Sequence, residues 1–209
     1  MRILLVDDHP VVRQGIKLIV TDRWHDAVVG EADSADAGLL QVQQDDWDVV
    51  VLDISMAGTS GMELLKTLHR RYPRLPVLVL SMHPASQFAR RALSAGALGY
   101  LTKDSAPTAL VDAILQVRRG RAYVDGAPRG GLMNPAEEHG QPHDSLSDRE
   151  YQVLRMIGAG RTVSQIAASL SLSVKTVSTY RARVLDKLGM ASSAELMRYA
   201  IENGLTDLS

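Results

Sequence analysis

Short hydrophobic runs alternate with amphipathic stretches along residues 1–120. The runs are bounded by polar or glycine positions, which is typical of strands buried in a parallel sheet. Between them, apolar residues recur with helical spacing, as at Val12, Ile16 and Val20. Five such units in series predict an α/β fold with a doubly wound, five-stranded parallel sheet. The strands are expected at 3–6, 27–30, 49–52, 77–80 and 99–101.

Residues 121–145 break this pattern, because they are polar and rich in glycine and proline. Such a composition predicts a flexible linker. His139 and His143 stand four residues apart within it, a spacing that suits a metal pair on a helix. Since no helix is expected there, we interpret both as solvated linker side chains.

From residue 146 the apolar spacing is purely helical, and capping residues predict where four helices begin. Each start is marked by a serine or threonine, and in three cases a glutamate or glutamine follows three residues later. Four short helices in this length make a small all-α domain at 146–209, after a domain at 1–120 and a linker at 121–145. The capping residues are Ser147, Thr162, Ser173 and Ser192, and Gly189 is expected to end the third helix.

Composition narrows the class of protein. The 209-residue chain is long enough for two small domains, and its 45% hydrophobic content supports packed cores. It has no cysteine, which excludes disulfides and thiolate zinc sites and suits a reducing cytoplasm. No apolar run approaches the roughly 20 residues that cross a bilayer, and the first residues do not resemble a signal peptide. We therefore expect a soluble, cytoplasmic protein with no membrane partner.

The charge distribution favours a nucleic-acid partner for the C-terminal domain. The whole chain carries a formal net charge of −1, which gives no such indication by itself. Residues 146–209, however, hold 8 Lys and Arg against 6 Asp and Glu. The local excess has the sign that DNA binding requires, although it is small.

Polar side chains follow the predicted strands at their carboxyl ends. Asp7 and Asp8 follow the first strand, Asp53 the third, Ser81 the fourth and Lys103 the fifth. Because these ends meet at one edge of a parallel sheet, we expect the side chains to lie close together. Clustered carboxylates repel one another unless a cation lies among them, and hard oxygen ligands suit Mg²⁺. A carboxylate nucleophile, a divalent ion, a lysine and a hydroxyl are groups that bind a transferring phosphoryl group.

With these residues at these positions, 1–120 resembles the receiver domain of two-component response regulators. The resemblance implies that Asp53 is the phospho-acceptor and that a sensor histidine kinase is the phosphoryl donor. It implies that Asp7 and Asp8 hold Mg²⁺ together with Asp53 and the main-chain carbonyl of Ser55. Lys103 would then pair with the phosphoryl oxygens.

The same resemblance assigns the switch that responds to phosphorylation. Ser81 matches the hydroxyl position, whose side chain moves to the phosphate, and Tyr100 matches the aromatic position, whose ring rotates inward behind it. Gly58 and Gly61 fit the turn that follows the acceptor.

Two positions depart from the usual receiver pattern. The loop after the acceptor usually reads Met-Pro-Gly, whereas this chain has Met56-Ala57-Gly58. Met82 stands after Ser81, where receivers commonly have a small residue. We hypothesise that Met82 obstructs the phosphoryl site and slows both self-phosphorylation by small donors and hydrolysis.

The second and third helices of the C-terminal domain have a helix-turn-helix pattern. The third, 174–188, is expected to bury Val177, Val184 and Leu188, which leaves a polar outer face suited to the major groove. That face carries Lys175, Ser178, Thr179, Ala182 and Asp186. The basic residues that flank it are expected to reach phosphates, and they are Arg181, Arg183 and Lys187.

Residues 146–205 resemble the DNA-binding domain of the NarL/FixJ, or LuxR-type, subfamily. The resemblance rests on Ser147-Asp-Arg-Glu150 and on the run from Ser173 to Ser178 with Lys187-Leu-Gly189. It implies DNA as the target, bound by a homodimer at paired half-sites, which compensates for modest affinity per monomer. The family's usual dimer contact corresponds here to Leu196, Met197, Ala200 and Ile201, a stripe that intramolecular packing explains equally well.

Three other functions fit parts of the sequence. An aspartate-nucleophile phosphatase also uses Mg²⁺, but such enzymes have an Asp-x-Asp pattern whose second carboxylate is the acid/base. Here the residue two positions after Asp53 is Ser55, so that carboxylate is missing. The predicted function is therefore not enzymatic. A regulator independent of phosphate is not favoured because every pocket residue is present, and a receiver acting only through protein contacts does not explain the C-terminal domain.

Overall fold

The computed structural model describes residues 1–56, 61–126 and 141–206. They form two compact units, one on each side of residues 127–140. Within the described ranges, no helix is both long enough and apolar enough to cross a membrane.

The N-terminal unit contains a parallel sheet whose order is β2-β1-β3-β4-β5-β6. The predicted doubly wound α/β fold is confirmed, but the described sheet has six strands rather than five. The sixth pairs with β5 inside the segment predicted to be a flexible linker. The strands are β1 Arg2–Val6, β2 Val28–Ala32, β3 Val49–Asp53, β4 Val77–Ser81, β5 Gly99–Thr102 and β6 Tyr123–Val124.

Five helices cover the two faces of this sheet. Side chains alternate along each strand, so Leu4 and Val6 face one core while Ile3 and Leu5 face the other. Helices α2, α3 and α4 pack on the first face, and α1 and α5 pack on the second. Because both faces are covered, the central strands are almost wholly apolar and buried. The helices are α1 Pro10–Arg23, α2 Ala35–Gln44, α3 Gly61–Arg71, α4 Ala85–Ser94 and α5 Ala106–Arg118.

The C-terminal unit has the four predicted helices: α6 Asp148–Gly158, α7 Val163–Ser169, α8 Val174–Leu188 and α9 Ser193–Glu202. Ser147 and Thr162 form complete capping boxes, and Ser173 and Ser192 each accept a hydrogen bond from the main chain three residues on. Gly189 ends α8 with φ of 65°, a left-handed conformation that glycine adopts without strain. Helix α6 packs on α8 and α9, and α7 packs on α8.

The end of the predicted linker belongs to this domain. Pro142–Ser145 form one turn of 3₁₀ helix, and the His143 side chain is buried. Its Nδ1 lies 2.8 Å from the Tyr199 hydroxyl, and its ring packs against that of Tyr151. The interpretation of His143 as a solvated side chain was therefore wrong, because aromatic neighbours on α6 and α9 cover it. His139 and Gly58 lie outside the described residues.

Candidate functional site

A cluster of carboxylates lies at the carboxyl edge of the sheet. Asp7 directly follows β1 and Asp53 ends β3, and these strands are parallel neighbours with Val6 opposite Leu52. Asp7 and Asp53 are both buried. Carboxylate oxygens of Asp7, Asp8 and Asp53 and a ring nitrogen of His9 all lie within 4.8 Å of one another. The structure thus brings together the three predicted carboxylates, in an arrangement compatible with Mg²⁺ binding.

Lys103 reaches into this cluster from the loop after β5. Its Nζ lies 2.7 Å from Asp53 Oδ2 and 2.8 Å from Asp7 Oδ2. Its main-chain N–H donates to the carbonyl of Ser81 at 2.8 Å, which fixes the loop against the end of β4. Burial favours the neutral amine, but hydrogen bonds to the two carboxylates outweigh burial and raise the pKa of Lys103. The side chain is therefore a fixed positive charge beside Asp53.

Asp53 has an unusual electrostatic environment. Burial raises its pKa above the ordinary value, and the negative charge of Asp7 acts in the same direction. The hydrogen bond from Lys103 and the main-chain N–H of Ser55, 2.7 Å from Asp53 Oδ1, act in the opposite direction but do not cancel the effect of burial. A divalent cation among these oxygens would favour the ionised carboxylate, which is the nucleophilic form.

His9 also belongs to the cluster, although it is not among the predicted site residues. Its Nδ1 lies 2.8 Å from Asp8 Oδ1, 3.0 Å from Asp7 Oδ1 and 3.7 Å from Asp53 Oδ2. Its main-chain N–H donates to Asp7 Oδ1 at 2.7 Å. This bond closes a turn that directs the imidazole ring over the pocket. The side chain is 58% exposed, so it lies at the open rim of the site. An imidazole directly after two aspartates at a strand end was the signal in the sequence.

The two predicted switch residues are linked through one residue of the β4–α4 loop. Ser81 is fully buried at the end of β4, and its Oγ accepts a hydrogen bond from the main-chain N–H of His83 at 3.1 Å. The hydroxyl of Tyr100 donates to the carbonyl of His83 at 2.8 Å, and its ring is wholly buried. The conformation described here is thus the one with the aromatic ring turned inward. Met82 lies between Ser81 and His83 in the chain and is 60% exposed.

Gly61 begins α3 directly behind the acceptor. A Cβ at this position would lie 2.2 Å from the carbonyl oxygen of Asp53. Only glycine therefore permits the helix to approach the acceptor this closely.

The polar face of α8 has the predicted orientation. Val177 and Val184 are buried as predicted, whereas Leu188 is half-buried. The predicted groove-facing residues are all exposed: Lys175, Ser178, Thr179, Ala182 and Asp186.

Two of the three predicted phosphate contacts also bond within the domain. The Nε of Arg181 donates to Ser193 Oγ. The Nζ of Lys187 lies 2.6 Å from Glu150 Oε2 and 3.3 Å from the carbonyl of Ser145. Arg183 is exposed.

The predicted dimer stripe divides into buried and exposed halves. Leu196 and Ala200 are fully buried within their own domain, so they cannot contact a second copy without unfolding. Ala200 packs on α6, where a Cβ on Gly158 would lie 2.5 Å from that of Ala200. Met197 and Ile201 are 36% and 51% exposed. Burial therefore favours the intramolecular alternative for Leu196 and Ala200, whereas Met197 and Ile201 stay candidates for a dimer contact.

Comparison with protein families matches both units. Residues 3–115 match the family described as "Response regulator receiver domain", and residues 144–200 match "Bacterial regulatory proteins, luxR family".

Two curated relatives match along almost the whole chain. The response regulator GacA of Pseudomonas aeruginosa is 37% identical, over 99% of this chain and 98% of its own length. The response regulator UvrY of Escherichia coli K12 is also 37% identical, over 98% of this chain and 95% of its own length.

Solved structures of RcsB share the architecture. RcsB of Salmonella enterica serovar Typhimurium, bound to the promoter rprA with the phosphomimetic BeF₃⁻, is 28% identical with a TM-score of 0.62. A second RcsB structure, from Salmonella typhimurium, is 28% identical with a TM-score of 0.59. Each alignment covers 95% of this chain and 98% of the RcsB chain.

Proposed function

The chain belongs to the response regulators that join a receiver domain to a LuxR-type DNA-binding domain, and we propose that Asp53 is the residue through which phosphorylation controls DNA binding. The observation that carries the proposal is the position of Lys103, whose ammonium is bound at once by Asp53 and Asp7. This contact supports the proposal, because a carboxylate and a fixed cation that lie side by side are the groups needed to bind a transferring phosphoryl group.

The chemistry follows from this arrangement. Asp53 attacks the phosphorus of a phosphohistidine on a sensor kinase, a P–O bond forms, and the P–N bond to the kinase histidine breaks. The groups that would hold Mg²⁺ are the carboxylates of Asp7, Asp8 and Asp53 and the main-chain carbonyl of Ser55. A bound ion would neutralise charge that develops on the phosphoryl oxygens. Lys103 exchanges its bond to Asp53 for one to a phosphoryl oxygen.

The signal then passes to the switch residues. The Ser81 hydroxyl donates to the phosphoryl group while it still accepts from the N–H of His83. Movement of Ser81 toward the phosphate thereby favours the loop arrangement in which the Tyr100 ring is turned inward and its hydroxyl donates to the carbonyl of His83. Phosphorylation thereby shifts an equilibrium between two arrangements of this loop. The hydrogen bonds that His83 makes to both residues support this coupling.

The C-terminal domain inserts α8 into the major groove of DNA. Lys175, Ser178 and Thr179 reach the bases from the first turns of the helix, and Arg183 contacts phosphates. A homodimer contacts two half-sites, with Met197 and Ile201 between the two copies. A receiver unit that includes β6 and a DNA-binding unit that begins with the turn Pro142–Ser145 separate the two functions in a cytoplasmic regulator. RcsB, which shares this architecture, is described in complex with promoter DNA.

The test uses the full-length protein, acetyl phosphate and Mg²⁺. Intact mass should rise by one phosphoryl group in the wild type and remain unchanged in Asp53→Asn. DNA fragments selected from genomic DNA should be retained more tightly by the phosphorylated wild type than by the variant. If Asp53→Asn binds those fragments as tightly as the phosphorylated protein, phosphate does not control the output.

A further inference from the structure

The first residues beyond α5 are joined to the backbone of the switch aromatic. The N–H of Tyr123 donates to the carbonyl of Leu98 at 3.1 Å, and the N–H of Asp125 donates to the carbonyl of Tyr100 at 3.0 Å. Val124 is the register partner of Tyr100. The chain that leads toward the DNA-binding domain therefore leaves the receiver as a strand paired to β5.

The side chain of Asp125 makes a second connection, to the loop that carries Lys103. Its Oδ2 accepts hydrogen bonds from the N–H of Thr102, at 3.3 Å, and from the Thr102 hydroxyl. Ser105 and the N–H of Gly126 also bond to this carboxylate, and Ser105 Oγ lies 2.9 Å from Thr102 Oγ1. Burial alone raises the pKa of Asp125, but these hydrogen bonds outweigh burial and lower it. The carboxylate is thus ionised and bound on several sides.

Thr102 and Ser105 lie on either side of Lys103 in the loop. Two sets of bonds fix the loop. The Lys103 ammonium bonds to Asp53 and Asp7. The Asp125 carboxylate bonds to Thr102 and Ser105. We expect displacement of the lysine toward a phosphoryl group to affect the second set of bonds, because Thr102 directly precedes Lys103 in the chain and Ser105 follows it by two residues. Coupling of this kind is reciprocal.

We propose that Asp125 is a positioning residue that holds the Lys103 loop and connects its state to the chain leaving the receiver. The proposal rests on the proposed function of Asp53, but it adds to the phosphorylation machinery a residue that directly follows the last strand of the receiver. Phosphorylation should alter the pairing of β6 with β5. Conversely, weakening the Asp125 bonds should alter the lifetime and rate of formation of the aspartyl phosphate.

The first experiment compares full-length wild type with Asp125→Asn and with Asp26→Asn, an exposed control in the turn before β2. Phosphorylation by acetyl phosphate is followed by intact mass over a range of Mg²⁺ concentrations. We expect Asp125→Asn to change the maximal rate or the lifetime of the phosphate by about tenfold, from the loss of bonds to an ionised group. The Mg²⁺ concentration at half-maximal rate should not change, because the carboxylate cluster is intact. Asp26→Asn should match wild type.

A second variant and a second measurement separate positioning from general stability. Thr102→Val removes the hydroxyl that donates to the Asp125 carboxylate, so it should reproduce the kinetic change. The double variant, Thr102→Val with Asp125→Asn, should add little to the change in either single variant. Hydrogen exchange of the Tyr123 and Asp125 amides should respond to beryllofluoride in wild type but not in Asp125→Asn.

The outcomes separate the two proposals. If wild type is not phosphorylated, or if Asp53→Asn is phosphorylated equally, the proposed function fails. If wild type is phosphorylated on Asp53 while Asp125→Asn keeps the wild-type rates and the wild-type exchange response, the positioning role is wrong. A shift in the Mg²⁺ requirement together with a lowered melting temperature would show a merely structural role, and this too overturns the proposal.

Discussion

Replacing Glu150 with glutamine tests what holds the C-terminal domain together. The Glu150 carboxylate is buried, and it accepts hydrogen bonds from Lys187 Nζ at 2.6 Å and from the N–H of Ser147 at 2.8 Å. It therefore joins the first turn of α6 to the last turn of α8. We expect the glutamine variant to lose the ionic part of these bonds while it keeps the shape of the side chain.

The expected magnitude follows from the geometry. A hydrogen bond to a charged group contributes about 1.5–3 kcal/mol, and an N-terminal cap interaction contributes about 0.5–2 kcal/mol. Because the Lys187 side chain is 38% exposed, solvent screens the ion pair, and the lower part of these ranges applies. A total loss of about 2 kcal/mol lowers the melting temperature of a domain of this size by roughly 8–16 °C.

The chain allows the two domains to be followed separately. Both tryptophans, Trp24 and Trp47, lie in the receiver domain, so their fluorescence reports its unfolding alone. Far-ultraviolet circular dichroism reports the helices of both domains. In the full-length Glu150→Gln variant, part of the helical signal should melt earlier while the fluorescence transition stays in place. Lys187→Met should give the same shift, and the double variant should add little to either.

The pH dependence gives a second criterion. Burial acts to raise the pKa of Glu150, but hydrogen bonds from Lys187 and Ser147 outweigh it and hold the pKa below the ordinary value of 4.5. A carboxylate whose pKa is lowered by folding stabilises the fold above its unfolded pKa, and this stabilisation is lost as the pH falls through the folded value. The difference in melting temperature between the variant and wild type should be largest near neutral pH and should disappear as the pH falls below 4.5. Equal melting temperatures near neutral pH would refute the reasoning.

Three further predictions concern other parts of the chain. Arg183→Ala should weaken DNA binding and reduce the slope of log affinity against log salt by about 1 without changing either melting transition, because it removes one phosphate contact; band shifts at several salt concentrations measure this, and an unchanged slope contradicts it. Gly61→Ala should destabilise the receiver by about 1–3 kcal/mol because its Cβ would lie 2.2 Å from a carbonyl oxygen, whereas Gly15→Ala, with nothing within 4 Å, should stabilise it by about 0.5–1 kcal/mol; tryptophan-monitored melts that move in the same direction rule this out. Met82→Ala should speed both phosphorylation by acetyl phosphate and hydrolysis, and two unchanged rates would show that Met82 does not obstruct the site.

The regular elements were predictable because their patterns are strong. Each of the five predicted strands lies within one or two residues of its place in the structure, since a strand buried on both faces has to be apolar at almost every position. The four C-terminal helices begin at the predicted capping residues because those side chains satisfy first-turn N–H groups that have no partner within the helix. Local residue chemistry therefore determines both the positions of these strands and the starts of these helices.

The acidic pocket was also predictable, but its details were not. Topology alone brings the ends of β1 and β3 together, so Asp7 and Asp53 could be placed from the strand order. The position of His9 depends on a turn in the loop that only the folded main chain defines. The charge of Lys187 equally suits a DNA phosphate and a carboxylate of its own domain, and only the packing of α6 on α8 shows that Glu150 is within reach.

The two errors within residues 121–145 have one cause. Composition describes a window of residues, whereas Tyr123–Val124 and Pro142–Ser145 are held by specific partners in the two domains. A strand residue is recognised by the strand it pairs with, and a buried histidine by the rings that cover it, so neither can be found from the average polarity of a window. Tyr123–Val124 therefore extend the receiver sheet, and Pro142–Ser145 extend the helical unit.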